Sequence, residues 1–131
     1  MIVQKVLVAD DDFDDIELLK EVISEYSADI EISYVTDGVE LMDKLEKDLL
    51  PDVLILDLNM PCKEGRACLS EIRLNEQWKD LIIIVYSTTD VPDIKNECLS
   101  LGANHFVTKP SQMIDLMKFA ESLTKGTFDF V

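Results

Sequence analysis

Five residues in this sequence carry side chains suited to a phosphoryl group or a divalent cation: Asp10, Asp11, Asp57, Ser87 and Lys109. Carboxylates held close together repel one another, and one of them takes up a proton unless a cation relieves the conflict. Mg²⁺ suits such a set, with Mn²⁺ as a substitute, because it binds a few carboxylates and keeps waters and phosphate oxygens as its other ligands. A lysine ammonium adds a fixed positive charge, and a serine hydroxyl adds a donor to an anionic oxygen. Phosphoryl transfer asks a protein for little beyond such positioning and charge neutralisation. One carboxylate can also be the nucleophile and form an aspartyl-phosphate. Each piece alone is weak. An Asp-rich turn usually caps a helix, a Lys-Pro pair usually marks a loop, and a serine often just ends a strand.

Their common location carries more weight. Val6-Leu7-Val8-Ala9 runs into Asp10-Asp11. Val53-Leu54-Ile55-Leu56 runs into Asp57, followed by Leu58-Asn59-Met60-Pro61. Ile82 to Tyr86 runs into Ser87-Thr88-Thr89, and Phe106-Val107-Thr108 runs into Lys109-Pro110. Short apolar runs of this kind read as buried strands. Ligands of open α/β sheets bind at the carboxyl ends of such strands, so parallel neighbours would bring these groups together.

The whole chain keeps this alternation. Strands are expected at Lys5–Ala9, Ile30–Val35, Val53–Asp57, Ile82–Ser87 and His105–Thr108. Between them lie helical spacings. Asp12 is placed to cap the first helix, with Asp14 and Asp15 in its first turn and Ile16, Leu19, Val22, Ile23 and Tyr26 inward. The second helix is expected from Gly38 to Lys47 (Leu41, Met42 and Leu45 inward), and the third from Arg66 to Leu74 (Cys68, Leu69 and Ile72 inward). The fourth is expected from Pro92 to Leu101, with Ile94, Cys98 and Leu101 inward and Gly102 as its stop. The fifth is expected from Gln112 to Leu123, with Met113, Leu116, Met117, Ala120 and Leu123 inward. Alternating strands and helices imply parallel strands with right-handed crossovers. The fold class is therefore α/β, a three-layer doubly wound (βα)5 sandwich.

The length of 131 residues suits one domain. Its core is expected over residues 5–123, with a short tail over 124–131 and no output domain. Such tails usually fray, although this one carries Phe128 and Phe130. Net charge is −15, from 12 basic and 27 acidic residues. Nucleic acids and anionic membranes are bound through basic surfaces, so neither is expected as a direct partner, and proteins with basic surfaces are. Cys62, Cys68 and Cys98 form no CxxC pair, which suits reduced thiols in the cytoplasm. No apolar stretch approaches the ~18 residues of a membrane span.

Taken in order, Val8-Ala9-Asp10-Asp11-Asp12, Leu56-Asp57-Leu58-Asn59-Met60-Pro61 with Gly65, Tyr86-Ser87-Thr88-Thr89 and Leu101-Gly102-Ala103 with Phe106-Val107-Thr108-Lys109-Pro110 resemble the receiver domains of two-component response regulators. The resemblance covers Lys5 to about Leu123. It implies the flavodoxin-like strand order 2-1-3-4-5 and a phosphoryl group accepted on Asp57 from a histidine kinase or a histidine phosphotransfer protein. It implies that Asp11, Asp57 and the backbone carbonyl of Asn59 ligate the metal, with Asp10 acting through a water. Lys109 would pair with Asp57 and later with the phosphoryl group. Ser87 and Phe106 would form the switch, and the bond before Pro110 would be cis. The phosphorylated chain would bind a target or act as a relay, and a dimer would form through the face of the fourth helix, fifth strand and fifth helix. Many relatives have Thr at Ser87, Tyr at Phe106, and Asp or Asn at Glu64. Phe106 keeps the aromatic plug but offers a partner no hydroxyl.

Other readings account for less. A phosphohydrolase with an aspartyl nucleophile usually has a second acid two residues later, where this chain has Asn59. A flavin carrier of flavodoxin type needs a phosphate loop after the first strand, where Asp10-Asp11-Asp12 would repel the phosphate. A constitutive adaptor would not need the acceptor residues at all. His105 is the only histidine and, lacking a second ligand beside it, reads as structural. Trp78 reads as a lid over the core. Glu17, Lys20, Glu21 and Glu25 read as a solvated helix face. Ile94 and Leu99 belong either to the core or, with Phe106, to an output surface.

Overall fold

The computed structural model describes residues 1–130. Its strands are β1 (Lys5–Ala9), β2 (Glu31–Val35), β3 (Val53–Leu56), β4 (Ile82–Ser87) and β5 (His105–Thr108). Its helices are α1 (Phe13–Tyr26), α2 (Gly38–Lys47), α3 (Gly65–Leu74), α4 (Pro92–Ser100) and α5 (Met113–Lys125), with a 3-10 turn at Glu76–Trp78. All strand pairings are parallel, and the sheet order is β2-β1-β3-β4-β5.

Successive residues of a strand face opposite sides of a sheet, and here each side has its own core. Leu7, Ala9, Leu54, Leu56, Ile83 and Val85 point toward α2, α3 and α4, where they meet Leu41, Leu45, Cys68, Leu69, Ile72 and Cys98. Val6, Val8, Val53, Ile55, Ile84 and Tyr86 point toward α1 and α5, where they meet Ile16, Leu19, Ile23, Leu116, Phe119 and Ala120. Both faces of the central strands are thus buried, which explains their unbroken apolar runs.

Helix ends follow local chemistry. The Asp12 carboxylate accepts from the backbone N–H groups of Asp14 and Asp15 and starts α1. Gly102, at φ +112°, lies beyond the last turn of α4, where a side chain would be strained. The expected inward residues Met113 and Tyr26 are instead 51 % and 38 % exposed. They are the first residue of α5 and the last of α1, where the helical face runs past the core. Trp78 is buried, as a lid should be.

Two further features depart from expectation, and a third was not anticipated. No peptide bond among the described residues is cis, so the Lys109–Pro110 bond is trans, the favoured form of X–Pro bonds. The tail does not fray over its described part. Phe128 and Phe130 flank His105, with ring centroids 5.8 Å and 5.2 Å away, because burying two phenyl rings outweighs the ordering of a few residues. Val131 lies outside the described residues. Arg73 on α3 donates to the carbonyls of Gly102, Trp78 and Leu81 and to the Asn104 side chain, at 2.8–3.1 Å. It ties together the loops at the end of the sheet opposite the carboxylates.

Candidate phosphoacceptor site

The parallel register delivers the site. Ala9 pairs with Leu56, and Leu56 with Val85. The ladder continues one step past the strand ends, where the Asp57 N–H donates to the Ala9 carbonyl at 2.8 Å and the Asp10 N–H to the Val35 carbonyl at 3.1 Å. Asp10 and Asp57 therefore emerge side by side. Asp11, one residue on, is exposed at the rim. Oxygens from the three carboxylates lie within 4.8 Å of one another.

Two of these carboxylates are nearly sealed from water: Asp10 is 2 % exposed and Asp57 5 %. Burial pushes the Asp57 carboxyl up, Asp10 pushes it further, and Lys109 only partly opposes them, leaving its pKa at about 7. At neutral pH this carboxyl therefore holds a proton far more readily than an ordinary aspartate, and a bound cation would favour its charged form. Only oxygen donors are present, which matches a hard divalent ion. The donor set and its unrelieved charge therefore fit Mg²⁺ or Mn²⁺.

Lys109 follows β5 and lies close to all but one of these groups. Its Nζ donates to Asp15 Oδ2 at 2.7 Å, forms an ion pair with Asp10 Oδ2 at 2.8 Å, and lies 3.9 Å from Asp57 Oδ2. The expected pairing with Asp57 is thus an ion pair without a hydrogen bond, because two nearer carboxylates occupy the ammonium. Burial works against the Lys109 charge, but the bonds to Asp10 and Asp15 outweigh it and raise the pKa above the ordinary lysine value. The Tyr86 ring lies under the ammonium, 5.8 Å from Nζ to its centroid.

Ser87 ends β4 fully buried, and its hydroxyl accepts from the Thr89 N–H at 3.3 Å. Phe106, paired with Val85 across the strands, is buried in the core between the sheet and α4. Ile94 packs against the same core, whereas Leu99 is 41 % exposed. Asn59 is exposed on the loop after Asp57. Gly65 allows that loop to close, since a Cβ there would lie 2.3 Å from the Asp57 carbonyl oxygen.

Residues 6–121 match the family model of the response regulator receiver domain. The chain belongs to this family. Response regulator Rcp1 of Synechocystis sp. is 30 % identical over 124 residues, covering 90 % of this chain and 84 % of that protein. The Mn²⁺-bound structure of Rcp1 superimposes with a TM-score of 0.85 at 28 % identity, covering 98 % of this chain and 96 % of that one. The phosphorylated cyanobacterial phytochrome response regulator RcpA superimposes with a TM-score of 0.87 at 27 % identity, with the same coverage. A protein-glutamate methylesterase/protein-glutamine glutaminase of Rhodospirillum rubrum is 35 % identical over 112 residues, which are 86 % of this chain but 30 % of that protein. Among the described residues of this receiver domain, no helix is long and apolar enough to cross a membrane.

Sequence reasoning missed Asp15. Its position in the first turn of α1 has a sufficient explanation in the helix dipole. Its contact with a lysine 94 residues away left no local signal.

Proposed function

We propose that this receiver domain accepts a phosphoryl group on Asp57 from the phosphohistidine of a histidine kinase or histidine phosphotransfer protein. The observation that carries the reading is the approach of the Asp10, Asp11 and Asp57 oxygens to within 4.8 Å beside the Lys109 ammonium. Phosphorylation of the similar RcpA and Mn²⁺ binding by the similar Rcp1 support it. An Asp57 carboxylate oxygen attacks phosphorus, the P–N bond to the donor imidazole breaks, and the nitrogen keeps the bonding electron pair. Asp11, Asp57 and the Asn59 carbonyl would hold Mg²⁺, with Asp10 acting through a water. Bound there, the ion supplies positive charge to the transferring oxygens. Lys109 neutralises a phosphoryl oxygen, and the Ser87 hydroxyl donates to another.

The added charge and acceptor oxygens would bias the Ser87–Phe106 pair between two arrangements. Output or pairing with a second copy would run through the α4-β5-α5 face, where Val91, Leu99, Met113 and Ile114 are exposed. Asn59 cannot serve as the second acid of a phosphohydrolase, so the residues support a phosphoacceptor rather than a turnover enzyme. Free cysteines, two of them buried, are compatible with the cytoplasm. Incubation with acetyl phosphate and Mg²⁺ is expected to add one phosphoryl mass, lost in Asp57→Asn. An unmodified parent chain, or an adduct that survives in Asp57→Asn, would refute the assignment.

A further inference from the structure

We propose that Asp15 is a positioning residue that holds Lys109 back from Asp57 until a phosphoryl group draws the ammonium inward. The inference rests on the phosphoacceptor reading above. Asp15 lies outside the carboxylate trio that would hold the cation, yet it makes the shortest contact to Lys109, at 2.7 Å against 2.8 Å for Asp10 and 3.9 Å for Asp57. An ammonium has three donors. One is committed to Asp15, Asp10 is ion-paired with the same nitrogen, and the ring of Tyr86 lies 5.8 Å from it.

The two partners of Lys109 differ in how easily they let go. The Asp10 side chain is 2 % exposed and that of Asp15 36 %. Water can replace Lys109 at Asp15 but cannot reach Asp10 as readily, so Asp15 is the partner that is released. Its backbone cannot follow the lysine inward. The Asp15 N–H is held by the Asp12 cap at 3.2 Å, and the next residue, Ile16, is buried in the core. A phosphoryl group on Asp57 carries more negative charge than the carboxylate it replaces. It therefore competes with Asp15 for the same ammonium. Asp15 thus sets how much of the attraction of Lys109 is available when phosphoryl transfer begins.

The test compares the parent with Asp15→Asn, which keeps shape and removes charge, and Asp15→Ser, a second residue suited to a helix start. Asp14→Asn removes a charge from the same helical turn without touching Lys109. Two readouts are used: the rate of phosphoryl uptake from acetyl phosphate in saturating Mg²⁺, and calorimetric titration with Mg²⁺ alone. Both Asp15 variants should take up the phosphoryl group roughly two- to fivefold faster, the range of one part-exposed ion pair. The gain should shrink in about 0.5 M NaCl, because salt screens such pairs. The variants should also bind Mg²⁺ more weakly than Asp14→Asn does, because the freed ammonium moves toward the trio. With Lys109→Met, Asp15→Asn should change neither readout. Unchanged or slower uptake, an equal effect from Asp14→Asn, or an effect that persists without Lys109 would overturn the proposal. A parent that takes up no phosphoryl group would refute the phosphoacceptor reading instead, and the Mg²⁺ titrations would then decide the role of Asp15.

Discussion

Gly65 lies so close to Asp57 that a Cβ would approach the Asp57 carbonyl oxygen to 2.3 Å and the Leu58 Cα to 2.7 Å. The Gly65 N–H donates to the Leu58 carbonyl at 2.9 Å, so the first turn of α3 is docked directly on the acceptor loop. Gly65→Ala favours helix locally but must push the two backbones apart. The expected cost is about 1–3 kcal/mol, typical of overpacking. Since the displaced backbone is that of Asp57, the affinity for Mg²⁺ should fall as well. Urea denaturation and Mg²⁺ titration of the variant check the two effects together.

Asp57 makes the cation-free protein sensitive to pH. Its carboxyl titrates at about 7 in the folded chain against 3.8 when unperturbed. The folded state therefore holds a proton that the unfolded state releases between these values. Stability from this group is complete below pH 3.8, declines as pH rises through the window, and is lost above pH 7. Asp57→Asn removes the burden. In EDTA at pH 8 the variant should be more stable than the parent by a few kcal/mol, on the scale of about 1.4 kcal/mol per pKa unit. The gap should close toward pH 4, and at pH 8 it should narrow when Mg²⁺ is added. Paired denaturant titrations at pH 4 and pH 8 measure it, and equal stabilities at pH 8 in EDTA would contradict it.

Arg73 stabilises the fold from the opposite end of the sheet. Its planar guanidinium donates to the carbonyls of Gly102, Trp78 and Leu81 and to Asn104, an arrangement that a lysine cannot reproduce. Arg73→Lys should cost about 1–2 kcal/mol and Arg73→Ala about 2–3 kcal/mol, since hydrogen bonds to charged groups contribute roughly 1.5–3 kcal/mol each and these are partly exposed. The affinity for Mg²⁺ should stay at the parental value in both. Denaturation midpoints set against Mg²⁺ titrations separate this structural role from any role in the site.

What the sequence made legible and what it hid differ in range. Strand ends at Asp10, Asp57, Ser87 and Lys109 were readable because a buried parallel strand is a short apolar run and its end is a change of residue type. The cap at Asp12 and the stop at Gly102 were readable because both are decided within a few residues. Asp15, Arg73 and the Phe128–Phe130 tail were not. Each has an adequate local explanation, as a helix-start acid, a solvated helix arginine and a chain end. Their partners Lys109, Gly102 and His105 lie in other elements, and nothing local in the sequence specifies which long side chains meet. The expected pairing of Lys109 with Asp57 is present as an ion pair at 3.9 Å, and its length was hidden for the same reason: the competing acceptor was invisible.

The tail supplies a measurement that a single residue can report. His105 is the only histidine, so its ring protons are unambiguous in an NMR titration. Burial holds its pKa below the ordinary 6.5. Part of its cover is Phe128, stacked at 5.8 Å, and Phe130, edge-on at 5.2 Å, with Phe130 also 5.0 Å from Phe119. The strap is pinned by Ser122, whose hydroxyl accepts from the Asp129 N–H at 2.6 Å. Replacing both phenylalanines by alanine should admit water to the imidazole and raise its pKa toward 6.5. It should also cost about 1–3 kcal/mol, because half-buried rings lose only part of the penalty for a full core truncation. The sign with pH follows. A depressed histidine pKa gives stability above 6.5 that is lost as pH falls through the folded value. The parent should therefore lose more stability than the variant between pH 7.5 and pH 5. A His105 titration that does not move in the double variant would mean that the tail leaves the histidine as wet as it finds it.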